Sequence, residues 1–193
     1  MKKIFGIAVF TVLGFFSAQA QDAGFEKGDA FVSGTLGVNS VSQGEASSTV
    51  YTISPSAGYF VSENIALEAQ LNIGSATTET ALGTVKASTL GGGLGATYFF
   101  TPANNFSFTT GLGVAYSSTK LGEGDDAPRN NTFGVILTPG INYFVSNHVA
   151  LRASVAALSY TSSKFDVDGA EAINTFGLNL DLSNINFGIT YKF

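Results

Sequence analysis

The chain has 193 residues, enough for one domain, with 9 Lys+Arg against 14 Asp+Glu and no cysteine. The acidic balance and the lack of a basic run argue against nucleic acid as a partner, and the missing thiols exclude disulfides and thiolate metal sites. Only 12% of residues are charged while 45% are hydrophobic. That is well below the roughly 25% charge of soluble domains. A wall facing lipid explains the shortage, since Lys or Arg costs about 2–4 kcal/mol at the bilayer midplane.

Met1–Ala20 reads as a cleaved secretory signal, with Lys2-Lys3, the apolar run Ile4–Phe16, and Ala18-Gln19-Ala20 as the small-residue site. The run is about 13 residues against the roughly 20 needed to span a bilayer, so it is not an anchor. No Cys follows the cleavage site, which excludes a lipid-anchored lipoprotein. Without Lys2 and Lys3, seven basic residues face fourteen acidic ones, a formal charge of −7. Residues 21–27 form a short N-terminal segment, and 28–193 form the domain proper.

Two stretches repeat. Ser54–Ala69 is SPSAGYFVSENIALEA and Thr138–Ala153 is TPGINYFVSNHVALRA, identical at eight of sixteen positions. Leu94–Val114 is a looser third copy. Each has an aromatic pair (Tyr59-Phe60, Tyr98-Phe99, Tyr143-Phe144), a short polar turn and a new alternating run, the pattern of a β-hairpin. The pattern predicts eight strands. The first covers about Asp29–Val41, and the hairpins give Thr49–Val61 with Ile65–Ser75, Ala87–Phe100 with Phe106–Ser118, and Thr132–Val145 with Val149–Thr161. The eighth ends at Phe193, where Ile185, Phe187, Ile189, Tyr191 and Phe193 alternate with polar or small residues.

Short turns (Glu63-Asn64, Thr101–Asn105, Asn147-His148) alternate with longer connections (Ser42–Ser48, Ala76–Lys86, Thr119–Asn131, Ser162–Asn174). That predicts an all-β, eight-stranded antiparallel up-and-down transmembrane β-barrel with both termini on the periplasmic side. Pro55 and Pro139 lie inside strands and predict bulges. The outward face changes parity between Phe176–Leu182 and Ile185 onward, which predicts a bulge near Ser183-Asn184 or a structured outer loop over Phe176–Leu182. The inward face is small and polar, and the lumen of an eight-stranded barrel is just wide enough for side chains to fill it.

Glu68 and Arg152 occupy the same position in two copies of the repeat and point to the lumen. They are expected to form a closing salt bridge, with an ion-selective constriction as the alternative. Lys192 and Asp181 are candidates to join them. Tyr59, Tyr98, Tyr143, Tyr191 and Phe193 at strand ends fit an interfacial aromatic girdle. His148, the only histidine, falls in a predicted periplasmic turn without a nucleophile or orienting acid beside it, so no catalytic triad and no enzyme is expected. The acidic stretches Glu123–Asp126 and Asp166–Gly169 with Glu171 are oxygen-rich, but they lack full calcium-loop spacing; no metal and no cofactor is expected. Gly91-Gly92-Gly93 lies within a strand and opens no helix, so it is not a phosphate loop.

The secretory start, the repeated YFVS turns and the terminal Ile189–Phe193 (ITYKF) resemble the small outer-membrane β-barrel family, the OmpX-like group related in architecture to the barrel domain of OmpA, over residues 28–193. The resemblance implies an outer-membrane location, outer-membrane lipid as surroundings, and a terminal strand whose Tyr191 and Phe193 form the signal offered to the outer-membrane assembly machinery. It implies a structural or surface-interaction role through the outer loops, with a narrow porin-like channel as the alternative. A lipocalin-like binding barrel fits less well, because neither strand face is charged. Any extracellular partner is left unnamed by the sequence.

Overall fold

The computed structural model describes residues 23–44, 46–81, 83–124, 126–178 and 185–193. Within them the chain folds into ten ladder segments. These are β1 (Ala30–Gln43), β2 (Ala46–Phe60), β3 (Ile65–Thr80), β4 (Gly83–Phe99), β5 (Phe106–Leu121), β6 (Arg129–Phe144), β7 (Val149–Ser154), β8 (Leu158–Phe165), β9 (Ile173–Leu178) and β10 (Asn186–Lys192). Sequential neighbours from β1 to β7 pair antiparallel, β7 pairs β10, and β10 pairs β1, which closes a ring of eight. β8 and β9 carry the seventh and eighth staves outward. The molecule is thus a closed eight-stranded antiparallel barrel. Closure leaves no edge in the ring, the condition for β-structure in lipid, where an unpaired backbone group costs several kcal/mol.

The strands form where side chains alternate between a greasy and a small polar face. The outward face carries Leu94, Phe108 and Ile189 at 65%, 61% and 61% exposure. Side chains this apolar and this exposed need lipid as their solvent. Among the described residues no helix is long and apolar enough to cross a membrane, so any crossing is made by strands.

The ladders run further than the hydropathy pattern indicates. β1 and β2 pair as far as Gln43 with Ala46, and β3 and β4 as far as Thr80 with Gly83. The stretches expected as loops, Ser42–Ser48 and Ala76–Lys86, are therefore mostly strand. They protrude beyond the membrane, where both faces are wet and the alternation that marks a strand fades. At the other end the strands stop at the aromatic pairs.

The two strand prolines behave differently. Register is unchanged on either side of Pro55, so no residue is inserted there, contrary to expectation. The missing N–H falls on the β3 side, where the pairing skips Ser54 and Pro55 between Ile53 with Ile73 and Ser56 with Gln70. At Pro139 an extra residue does enter, but on the facing strand. Gly140 pairs with Ser154 and Leu137 with Leu158, so residues 155–157 oppose only Thr138 and Pro139. Val155 N–H donates to the Pro139 carbonyl (3.1 Å) and Ala157 N–H to the Leu137 carbonyl (2.9 Å). This β-bulge switches the outward parity from Leu151 to Tyr160. The parity of the last stave also switches, between Phe176 and Phe187, and the bulge expected at Ser183-Asn184 lies outside the described residues.

The packed core lies inside the barrel at the end where β1 begins and β10 finishes. Phe31, Phe60, Phe99 and Phe144 converge there, with Ala66 and Ala150. Gly58, opposite Phe31 in register, leaves room for its ring; a Cβ at Gly58 would strike the Phe31 ring. Gly58→Ala is therefore expected to cost about 1–3 kcal/mol by overpacking. The measurement is the temperature at which the refolded barrel loses its fast-migrating form on a cold gel. A transition no lower than wild type would show that the Phe31 ring yields freely.

Candidate functional site: the lumen and its plug

Phe25, from the segment that precedes β1, enters the mouth of the barrel and is buried among the four inward phenylalanines. Its ring centroid lies 4.6 Å from Phe60, 4.8 Å from Phe144, 5.3 Å from Phe31 and 5.5 Å from Phe99. The stacked and edge-on arrangements each add about 0.5–1.5 kcal/mol beyond area burial. The backbone fixes the segment too. Phe25 N–H donates to the Pro102 carbonyl (2.7 Å) in the turn between β4 and β5. Gly24 adopts a positive φ of 129° against that turn, where a Cβ would lie 2.5 Å from the Ala103 carbonyl oxygen. Lys192 Nζ, buried on the last stave, donates to the Gly24 carbonyl (2.5 Å), stands 3.9 Å from Asp29 and lies 5.5 Å from the Phe144 ring centroid.

Directly above this aromatic floor sit Glu68 (β3) and Arg152 (β7). Arg152 donates from both terminal nitrogens to the two oxygens of Glu68, each at 2.9 Å. Thr97 Oγ1 donates to Glu68 Oε1 at 2.7 Å. The guanidinium lies 5.6 Å and 5.7 Å from the ring centroids of Phe31 and Phe99. The carboxylate and the guanidinium are thus engaged from below and from the side, and 16% and 19% of the two side chains stays exposed. The bidentate fork is the strongest ion-pair geometry available to side chains.

Outward of the pair, the inner face among the described residues is uncharged. Glycines at Gly91, Gly93 and Gly95 keep it hollow; a Cβ at Gly91 or Gly93 would lie under 3.0 Å from the neighbouring strand. Hydroxyls bond one another across strands, Ser33 with Thr190 (2.6 Å), Thr89 with Thr119 (2.8 Å) and Thr132 with Ser163 (2.8 Å). A cavity of about 220 Å³ stands over the ion pair, lined by Ser33, Ser56, Gln70, Thr97, Thr109 and Arg152 among others. Glu68 and Arg152, which neutralise each other, form part of its lining.

Sequence reasoning expected polar residues to fill the lumen, and at the closed end that is wrong. Phe60, Phe99 and Phe144 follow Tyr59, Tyr98 and Tyr143 by one residue, so alternation sends them inward while the tyrosines face outward. Tyr59 is 50% exposed and Phe60 0%. Period two alone would have revealed this. Phe25 gave no such signal, because a plug outside any strand has no period. Alternation also turns a second set of tyrosines outward, Tyr51, Tyr116 and Tyr160, and all three are exposed. Tyr51 stands eight residues from Tyr59 on β2, about 26 Å along a strand and about 20 Å across the membrane at a 40° tilt. Tyr191 is exposed and packs edge-on with Phe193 at 5.3 Å, and Phe193 N–H donates to the Ala30 carbonyl (3.1 Å).

Other candidates are elsewhere. Lys192 serves the plug rather than the Glu68–Arg152 pair, and Asp181 lies outside the described residues. His148 stacks on Tyr191 (5.8 Å) and its Nδ1 meets the Lys192 carbonyl (3.0 Å), a packing role at the turn. Glu123 pairs with Lys86 at 3.0 Å, Asp125 lies outside the described residues, and no three acidic or histidine side chains converge among those described. Glu68→Ala would strand the Arg152 guanidinium and is expected to cost about 3–5 kcal/mol, whereas a Glu68→Leu/Arg152→Leu double variant recovers most of it. Urea unfolding in detergent tests this, and equal midpoints for wild type and Glu68→Ala would remove the pair from the list of stabilising contacts.

The barrel is similar to several solved structures. OprG of Pseudomonas aeruginosa matches with a TM-score of 0.54 at 16% identity, over 88% of this chain and 98% of that one. Neisserial surface protein A matches with a TM-score of 0.56 at 16% identity, over 85% and 97%. AlkL, solved in lipid bilayers, matches with a TM-score of 0.50 at 18% identity, over 92% and 96%. At such identities the likeness concerns the fold alone. No curated protein matches the sequence significantly. The family model for the outer membrane protein beta-barrel domain matches residues 8–193, and this chain, an outer-membrane β-barrel protein, belongs to that family.

Proposed function

We propose that this protein is a plugged, non-conducting barrel of the outer membrane. It works as a structural or surface-interaction element through its protruding hairpins and carries no catalytic centre. The observation that carries this reading is the double floor, five phenylalanines below a bidentate ion pair. Water and ions have no path through packed aromatic rings, and Arg152 is held from below by Phe31 and Phe99 and from the side by Glu68. In the same reading Met1–Ala20 is the export signal, residues 21–27 are the segment that supplies the plug, and 28–193 are the barrel. Tyr191 and Phe193 are the part of the last strand that the assembly machinery takes up. The second reading is a narrow channel. The hydroxyl-lined vestibule of about 220 Å³ favours it, because only the floor would then have to move.

Single-channel recording in a planar bilayer separates the two. Wild type is expected to be silent, and a variant lacking residues 23–27 is expected to show discrete steps. Steps in wild type that change with Arg152→Ala would establish the channel instead. Deleting Phe193 is expected to lower the amount of folded barrel in the outer membrane at least several-fold, read as the heat-modifiable fraction of isolated membranes. Normal levels would remove Phe193 from the assembly signal.

A further inference from the structure

The seven basic residues beyond Lys3 are not scattered. Lys192 is buried and Arg152 nearly so, both inside the barrel, and Lys27 is exposed near the plugged mouth. The other four are Lys86 on β4, Lys120 on β5, Arg129 on β6 and Lys164 on β8. These are four consecutive staves, and alternation places all four side chains on the outward face. Lys120 stands directly opposite Arg129, with Ser88 opposite Lys120 and Asn131 opposite Lys164.

Their height is uniform. Each lies four residues outward of a large apolar or aromatic residue on the same stave and face: Leu90, Tyr116, Phe133 and Tyr160. One short polar residue stands between, Ser88, Ser118, Asn131 and Ser162. Four residues span about 13 Å along a strand and about 10 Å of height at a 40° tilt. That places the stripe in the headgroup layer above those four apolar or aromatic residues. On β1, β2 and β3 the same offset from Val38, Tyr51 and Ile73 is filled by Ser42, Ser47 and Thr77. The basic rim covers one side of the barrel only.

Such a stripe works against itself. Like charges opposite each other on neighbouring strands are destabilising, as Lys120 and Arg129 are here. Lys86 has Glu123 at 3.0 Å, a pair with both side chains well exposed and hence weak. Among the described residues Lys120, Arg129 and Lys164 make no salt bridge. In a protein with a net negative charge, four cations set at one depth call for anions at that depth. We propose that this stripe is a docking surface for phosphate-bearing lipid headgroups of the outer leaflet. Arg129 supplies a planar fork for phosphate oxygens and the lysines supply mobile point charges.

The test is native mass spectrometry of the refolded mature chain in neutral detergent, offered a doubly phosphorylated diglucosamine lipid or its phosphate-free counterpart. Wild type is expected to retain the phosphorylated lipid in preference, and retention should fall as salt rises. Replacing Lys86, Lys120, Arg129 and Lys164 by Gln is expected to weaken retention more than about tenfold, while Lys27→Gln leaves it unchanged. Heat-modifiable migration confirms that each variant is folded. If the fourfold variant does not fold, Lys120→Gln/Arg129→Gln alone is expected to weaken retention about threefold or more. Equal retention of the two lipids by wild type, or undiminished retention by whichever variant folds, overturns the proposal.

Discussion

A backbone amide in hydrocarbon has no water to bond, and the architecture follows from that constraint. It forces the strands to close into a ring, and closure makes β1 and β10, the first and last strands, neighbours. Closure also fixes which side chains meet. Within the membrane every residue on a stave faces either lipid or a lumen only a few side chains wide, so each strand is greasy on one face and, beyond the aromatic floor, mostly small on the other. The low charge content, the many glycines and the alternation have this single origin.

The same constraint explains why the lumen is filled in two different ways. Where β1 begins and β10 finishes, large rings interdigitate, and the space they occupy is opened by missing side chains, as at Gly58 under Phe31. One step further out the filling changes from dispersion to charge. Arg152 bridges the two, since its flat guanidinium lies over aromatic rings on one side and forks onto Glu68 on the other. A lysine can sit over a ring as a point charge, as Lys192 does at Phe144, but it could not offer Glu68 a planar two-pronged fork. Beyond the pair the described inner face carries no charge and is mostly small and polar, with hydroxyls and Gln70 along the cavity.

How much of this was legible follows from which signals are periodic. The hairpins showed because Tyr59-Phe60, Tyr98-Phe99 and Tyr143-Phe144 recur with their turns, and the closing strand showed because Ile185–Phe193 alternates. Glu68 and Arg152 meet across the lumen because their repeat copies set them at one height on opposite walls. What escaped was aperiodic or had lost its contrast. The outer ends of β1 to β4 are wet on both faces, so serines and threonines look like loop. The bulge at 155–157 inserts a residue opposite Pro139, and sequence marks only the proline. Phe25 is placed by the Pro102 carbonyl and, through Gly24, by Lys192, partners that lie far away in sequence.

The bond from Lys192 to the Gly24 carbonyl ties the beginning of the fold to its end. Lys192 is part of the stave that seals the ring, so the segment bearing Phe25 has no final anchor until that stave has arrived. The stopper therefore has its full set of contacts only in the sealed barrel. Without that stave the Gly24 carbonyl would lose its buried cation, and the interior phenylalanines would lie beside an unsealed wall.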